Sequence, residues 1–384
     1  MRLKILLLTT VLSCQCLIGA TQIHWNQSYP LLSNQSTTPL FYQEAANQLF
    51  VTGCLEDEWT QLQIQPASGA LSRTSALATN TCESIQLADG QTLSFESVAN
   101  GYRFMQYRGS SLVWTKVLTN YTGELTAQQV VAHPSNGFFI CEPYPSKLTR
   151  FNQQGNEVYN KAGFTPVGYS AQIGQVLGNG EVILHLGHQA ARNRRITIMR
   201  CAANNGQTIW ETEIETAERI NRDTRLSAHL DYPTIAITHH FVDNEGWEAS
   251  FIDLRTGRFI NNEIVYSYAE RSIFPSAIPN KGIFLTESYS IENQSVNNYI
   301  SIHRYNESGI LFWRKPLLDS QLEQARVVSQ VAALANNDLV LAGVRNDSLW
   351  LLRFDPTGDL SEATNGDIDA PDLVLKISAD RPDL

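Results

Sequence analysis

Short apolar runs separated by tight polar turns recur along most of this chain. Val130-Val131-Ala132 and Phe138-Phe139-Ile140 flank a turn at His133-Pro134-Ser135-Asn136-Gly137. The same form returns at Ile173 to Ile183, Leu226 to Ile237, Phe274 to Leu285 and Val331 to Leu341, with weaker versions at Ile85 to Phe95 and Phe41 to Val51. A second form alternates apolar and polar residues, turns at a glycine and resumes on an aromatic. It runs Leu148 to Gly155 then Tyr159, Ile196 to Gly206 then Trp210, and Ile300 to Gly309 then Trp313, while Glu248 to Gly257 and Leu349 to Gly358 repeat its first half. Alternation with a period of two marks a strand with one buried face, and glycine supplies the positive φ that a hairpin turn requires. Each unit therefore predicts two hairpins and a connector, which is four strands.

The turn positions Asn47, Gly90, Gly137, Gly180, Pro233, Gly282 and Asp338 are 43, 47, 43, 53, 49 and 56 residues apart. Four strands in such a span is the size of a propeller blade, and such a sheet buries its two apolar faces only against its neighbours. The expected fold is all-β: a seven-bladed β-propeller of four-stranded blades, spanning residues 21–360 as a single domain. A pair of β-sandwiches is the rival, and even spacing of one repeated unit favours radial repetition over it. Tyr159, Trp210 and Trp313, each four residues after a turn glycine, are expected to fill the gaps between blades. Gln22-Ile23-His24-Trp25 resembles Gln207-Thr208-Ile209-Trp210, and the last repeat has Glu362 where a Trp is expected. The N-terminal strand is therefore predicted to complete the seventh blade and close the ring, which removes exposed sheet edges. The acidic tail, residues 361–384, adds at most one strand at Asp372 to Ile377.

Residues 1–20 form an export signal: Arg2 and Lys4, an apolar stretch from Ile5 to Leu12, then Gly19 and Ala20 as small residues at the cleavage point. The stretch is short of the roughly 20 residues that cross a bilayer, and no other segment approaches that length, so no transmembrane segment is expected. Secretion to the periplasm or beyond is the expectation. Lipid anchoring through Cys14 is the less favoured alternative, because bulky Leu12 occupies a position usually held by a small residue in Val11-Leu12-Ser13-Cys14.

Net charge of −10 argues against nucleic acid as a partner, since phosphate binding demands a basic stripe. Four cysteines remain after the leader. Cys54 and Cys82 are the preferred disulfide, both expected near one end of the first blade, while Cys141 and Cys201 sit in apolar runs as core thiols. No Cys/His spacing suggests a metal, and no cofactor is implied.

Ile198-Met199-Arg200-Cys201-Ala202-Ala203-Asn204-Asn205-Gly206-Gln207-Thr208-Ile209-Trp210 resembles the repeat of pyrroloquinoline-quinone-like bacterial propellers. Leu148 to Lys161, Ile300 to Lys315 and Leu349 to Gly358 are similar to related repeats ending in Asp/Asn-x-x-Gly. The resemblance covers most of residues 21–360 and implies a fold. The quinoprotein dehydrogenases of that superfamily use an adjacent-cysteine disulfide and a calcium site, and this chain has neither motif. A second relative is the non-enzymatic lipoprotein propeller of the outer-membrane assembly machine.

Candidate site residues stand near the end of the second strand of several units: Glu96, Glu142, His185, His239 and Glu287. A ring of carboxylates and imidazoles at one height would suit ligand binding or acid–base chemistry; hydrogen bonds to neighbouring loops are the structural alternative. His239 and His240 are adjacent and so should face opposite ways, and His133 and His229 occupy matching turn positions. The functional expectation is an exported, non-enzymatic binding or scaffold propeller acting on a protein or glycan partner. The alternative is an exported hydrolase or oxidoreductase with a Glu/His site at the channel mouth.

Overall fold

The computed structural model describes residues 23–30, 40–43, 48–55, 58–76, 83–119, 121, 125, 129–143, 145–165, 169–188, 195–216, 220–241, 246–266, 271–278, 281–290, 298–317, 326–327, 331–334, 338–345 and 348–354. The leader, Cys82, the tail strand at 372–377 and most of the long connectors lie outside the described residues, as does the side chain of Cys54. The elements described are strands and turns. They form seven antiparallel sheets, six of four strands and one of five. In chain order we number them sheet I (residues 40–76), II (84–119), III (130–162), IV (169–215), V (220–266), VI (271–317) and VII (326–354). In sheets I to VI the strands are hydrogen-bonded in chain order. Sheet VII takes its outer strand from the other end of the chain: Ile23–Pro30 pairs antiparallel with Ser348–Phe354, placing Trp25 opposite Arg353.

Alternation along each strand sends consecutive side chains to the two neighbouring sheets. Phe138 and Ile140 pack on Phe95 and Phe104 of sheet II, whereas Phe139 and Cys141 pack on Val182 and Leu184 of sheet IV. The same division holds onward. Ile183, Ile196 and Ile198 meet Ile235, Ile237 and Ile252 across the IV–V seam. Trp247 and Phe251 meet Ile283, Leu285 and Tyr305 across V–VI. Phe284, Ile300 and Ile302 meet Leu339, Leu341 and Phe354 across VI–VII. Sheet VII turns its other face to sheet I, where Val340, Ala342 and Leu351 pack on Leu49, Val51, Leu62 and Ile64. Sheets I and II are joined by Gln61 Nε2 donating to Gln86 Oε1 at 2.7 Å. The core is thus a succession of apolar seams between sheets, with no single centre.

The three aromatics singled out by spacing lie in these seams. Trp210, on the last strand of sheet IV, lays its ring on Gly257 of sheet V, where a Cβ would come within 2.7 Å of it, and its Nε1 donates to the Leu254 carbonyl at 3.0 Å. Tyr159 covers Gly206 in the same way, and Trp313 packs into the VI–VII seam. The turn glycine therefore has two duties, a positive φ (74° at Gly257) and a flat seat for a ring from the preceding sheet. Trp210→Phe should lower stability by about 2 kcal/mol, from the lost hydrogen bond and the smaller ring. Urea denaturation reads this directly, and an unchanged midpoint would remove the seam role. Cys141 and Cys201 are free and buried as expected, and burial pushes the Cys141 thiol up to about 12.

Candidate functional site

Register decides where the five candidate residues point. Glu142, His239 and Glu287 share the facing of Ile140, Ile237 and Leu285, toward the preceding sheet. Glu96, opposite in direction to Phe95, does the same. His185 is one residue out of step and follows Ile183 toward the next sheet. These groups turn into separate seams, because a one-residue offset reverses a strand side chain. Only His185 and His239 share a seam. Among the described residues no three of His, Cys, Asp and Glu come together to hold a metal.

Each carboxylate is held locally. Glu96 pairs with its cross-strand neighbour Arg103 at 2.6 Å in a half-exposed setting, and Glu142 pairs with Lys147 at 3.1 Å. Glu287, fully buried, has Oε2 3.1 Å from both His303 Nε2 and Arg314 Nη2. Ser301 Oγ lies 3.1 Å from the same His303 Nε2 and accepts from Arg314 Nε at 3.2 Å. A serine, a histidine and a glutamate are thus assembled, but not as a catalytic triad. That mechanism needs the serine on one ring nitrogen and the carboxylate on the other, whereas here both crowd Nε2. The group is also sealed, with Ser301, His303 and Glu287 all at most 4% exposed.

The IV–V seam holds a different arrangement. His185 is buried, and neither ring nitrogen has a hydrogen-bond partner among the described residues. His239, fully buried, places Nε2 3.3 Å from Ser250 Oγ and leaves Nδ1 without one. Burial holds the His185 imidazole down to about 4. Burial, reinforced by the charge His185 would carry, brings His239 to about 3. Both are neutral at physiological pH. His240 faces the other way and lies tilted against Trp247, ring centres 5.1 Å apart. His133 and His229 are turn elements: each Nδ1 accepts the backbone N–H two residues on, from Ser135 at 3.0 Å and Asp231 at 3.1 Å.

An open pocket of about 600 Å³ lies elsewhere, at the end of sheets V and VI where the hairpin turns gather. Its walls include Asp231 and Tyr232 from sheet V, and Lys281, Arg304, Glu307 and Phe312 from sheet VI. Phe312 is 69% exposed and Ile310, two residues before it, 58%. The Arg304 guanidinium lies 5.3 Å from the Phe312 ring centre.

No family model matches this chain, and no curated protein matches it in sequence. Solved structures do match in shape. One is BBS1N in its complex with ARL6DN, soaked with lead, at 12% identity over 88% of this chain and 97% of that one, with a TM-score of 0.53. Another is a chain of the Mitotic Checkpoint Complex, at 11% identity over 92% and 99%, with a TM-score of 0.56. BBS1N is itself built as a propeller. This chain has a β-propeller fold.

Within the propeller, a set of partly buried arginines escaped the sequence reading. Arg150, Arg200 and Arg353 stand opposite the outer-strand aromatics or their register equivalents. Each reaches the turn of the following sheet. Arg150 Nη1 donates to the Ala203 carbonyl at 2.5 Å, Arg200 Nη1 to Leu254 at 2.6 Å, and Arg353 Nη1 to Pro66 at 2.6 Å. Arg200 and Arg353 also pair within their own sheets with Glu181 and Asp338. The signal was present: Arg150, Arg200, Arg304 and Arg353 each precede a turn glycine by five or six residues.

Proposed function

We propose that this chain is an exported seven-bladed propeller that binds a protein partner through the turn end of sheets V and VI. Seven sheets packed in succession, with sheet VII on sheet I, support the blade count, and the pairing of Ile23–Pro30 with Ser348–Phe354 supports closure by the N-terminal strand. The export signal of residues 1–20 supports action outside the cytoplasm. The repeat resembles the quinone-type bacterial propellers in packing alone.

One observation carries the binding reading: the imidazoles of His185 and His239 are sealed inside a seam, while the open pocket is bordered by the exposed Phe312 ring. Chemistry wants its titratable groups where substrate can reach them. Exposed Ile310 and Phe312, beside charged walls, instead suit a protein contact. Neither neighbour's complex identifies this partner, yet both are assemblies of proteins.

The test is cross-linking in the native envelope fraction, followed by affinity purification of wild-type chain and of an Ile310→Asp/Phe312→Asp variant. A protein recovered with wild type and lost with the variant is the expected result. Recovery of no protein, or equal recovery by both, sinks the reading.

A further inference from the structure

Comparison of the sheets among themselves exposes a missing charge. In sheets IV and VII the third-strand arginine is neutralised by the carboxylate just before the second strand. Glu181 binds Arg200, and Asp338 Oδ2 lies 2.5 Å from Arg353 Nη2. In sheet VI the corresponding arginine is Arg304, since Tyr305 opposes Ile283 as Cys201 opposes Val182 and Phe354 opposes Leu339. The residue in the carboxylate's place is Gly282. No side chain can stand there, because its φ is +112° and a Cβ would fall 2.6 Å from the Tyr305 carbonyl oxygen. Sheet III also has a glycine, Gly137, at this point; there Arg150 Nη1 donates to the Ala203 carbonyl of the next sheet, and its Nε has no partner among the described residues.

Arg304 keeps less. Its Nε donates to the Lys281 carbonyl at 2.8 Å, and its Cζ lies over the Phe284 and Phe312 rings, 5.9 and 5.3 Å from their centres. Among the described residues, its two terminal nitrogens have no acceptor, and neither Asp231 nor Glu307 pairs with it. The vacated space opens into the pocket. A side chain rooted at Gly282 would begin 3.7 Å from Arg304 Nε and 3.7 Å from the Tyr232 hydroxyl oxygen. That hydroxyl is buried and has no hydrogen-bond partner among the described residues. Burial, with Glu307 adding to it, pushes the Tyr232 phenol up to about 12, so it keeps its proton as a donor.

We propose that this pocket binds the carboxylate of an acidic side chain in an extended peptide segment of the protein partner, with Arg304 and Tyr232 as donors and Phe312 and Ile310 as the apolar shelf beside it. The partner thereby supplies the charge that Glu181 and Asp338 supply internally. A guanidinium anchored through Nε and placed over two rings offers its remaining donors to a carboxylate. The exposed apolar pair favours a peptide over a free small acid, which would leave that shelf uncovered. This inference rests on the protein-binding reading above and adds the recognition chemistry to it.

The experiment is selection of a random dodecapeptide phage library on the full chain. Selected sequences should carry Asp or Glu next to an aliphatic or aromatic residue. Changing that acid to its amide in a synthetic peptide should weaken binding at least tenfold, measured by fluorescence anisotropy at low salt. Arg304→Gln should cause a similar loss, and peptide amide and Arg304→Gln together should cost little more than either alone. Tyr232→Phe, which keeps the packing, should cause a smaller loss of the same kind. Selection without an acidic residue, equal binding of acid and amide peptides, or full affinity in Arg304→Gln each overturns the proposal. So does competition of the peptide by millimolar acetate alone, which would reveal a small-acid site. If a cross-linked protein partner is retained undiminished by Arg304→Gln, this inference fails while the binding reading stands.

Discussion

Lowering the pH from 7 to 4 should destabilise this protein by several kcal/mol, and His185 and His239, together with the turn histidine His133, which burial brings to about 4, should account for most of the slope. The His185 and His239 imidazoles are neutral in the folded seam, at about 4 and about 3, while in the unfolded chain each titrates near the ordinary histidine value. Below about pH 6.5 the unfolded state therefore binds protons that the folded state refuses. Stability is full above that point and falls as pH drops toward 4, by about 3 kcal/mol for each histidine. His185→Leu removes one of these groups without stranding a hydrogen-bond partner, since neither of its ring nitrogens has one among the described residues. The variant's stability, from urea melts at successive pH values, should fall by about 3 kcal/mol less than wild type between pH 6.5 and 4. Parallel curves would mean that His185 is protonated or solvated in the native seam.

Arg353→Met should cost about 3–5 kcal/mol, the loss expected when one partner of a buried ion pair is removed. Asp338 would lose this charge partner, with side-chain exposures of only 12% for Arg353 and 10% for Asp338, and the Pro66 carbonyl would lose the Arg353 donor. The contrast is Arg195 with Glu213, at 3.0 Å but 53% exposed on both sides. Arg195→Met should cost no more than about 0.5 kcal/mol, because solvent already screens that pair. Equal effects of the two substitutions in urea denaturation would show that Arg353 contributes no more than a surface ion pair. An Arg353→Met/Asp338→Asn double variant, less damaged than the two single losses summed, would isolate the pairwise coupling.

The hairpins were legible because period-two alternation and turn glycines are local properties. Val130 to Ile140 and Leu226 to Ile237 fall on the strands that spacing predicted. The seam aromatics were legible for the same reason: Trp210 stands at a fixed step from Gly206. Side-chain direction was not. His185 and His239 occupy similar places in their runs, but their facing depends on cross-strand register, which single-chain spacing leaves open by one residue. The arginine contacts were visible as a repeated Arg before the turn glycine, yet arginine ordinarily signals solvent. The pocket depends on an absence, Gly282 where Glu181 and Asp338 stand. That absence acquires meaning only when the sheets are placed in one register.

Because Ile23–Pro30 is hydrogen-bonded to Ser348–Phe354, and Arg353 reaches a carbonyl 287 positions earlier, sheet VII joins segments far apart in the order of synthesis. Intermediate sheets can stack as they emerge from the ribosome, but a nascent chain ending before residue 354 carries two unmatched faces and an unpaired strand edge. Such long-range closure is slow, since loop entropy is spent before the contact is made. Premature termination or proteolysis near the end of the repeat should therefore be felt at the opposite terminus, as exposure of residues 40–76, well before it is felt in the middle of the chain.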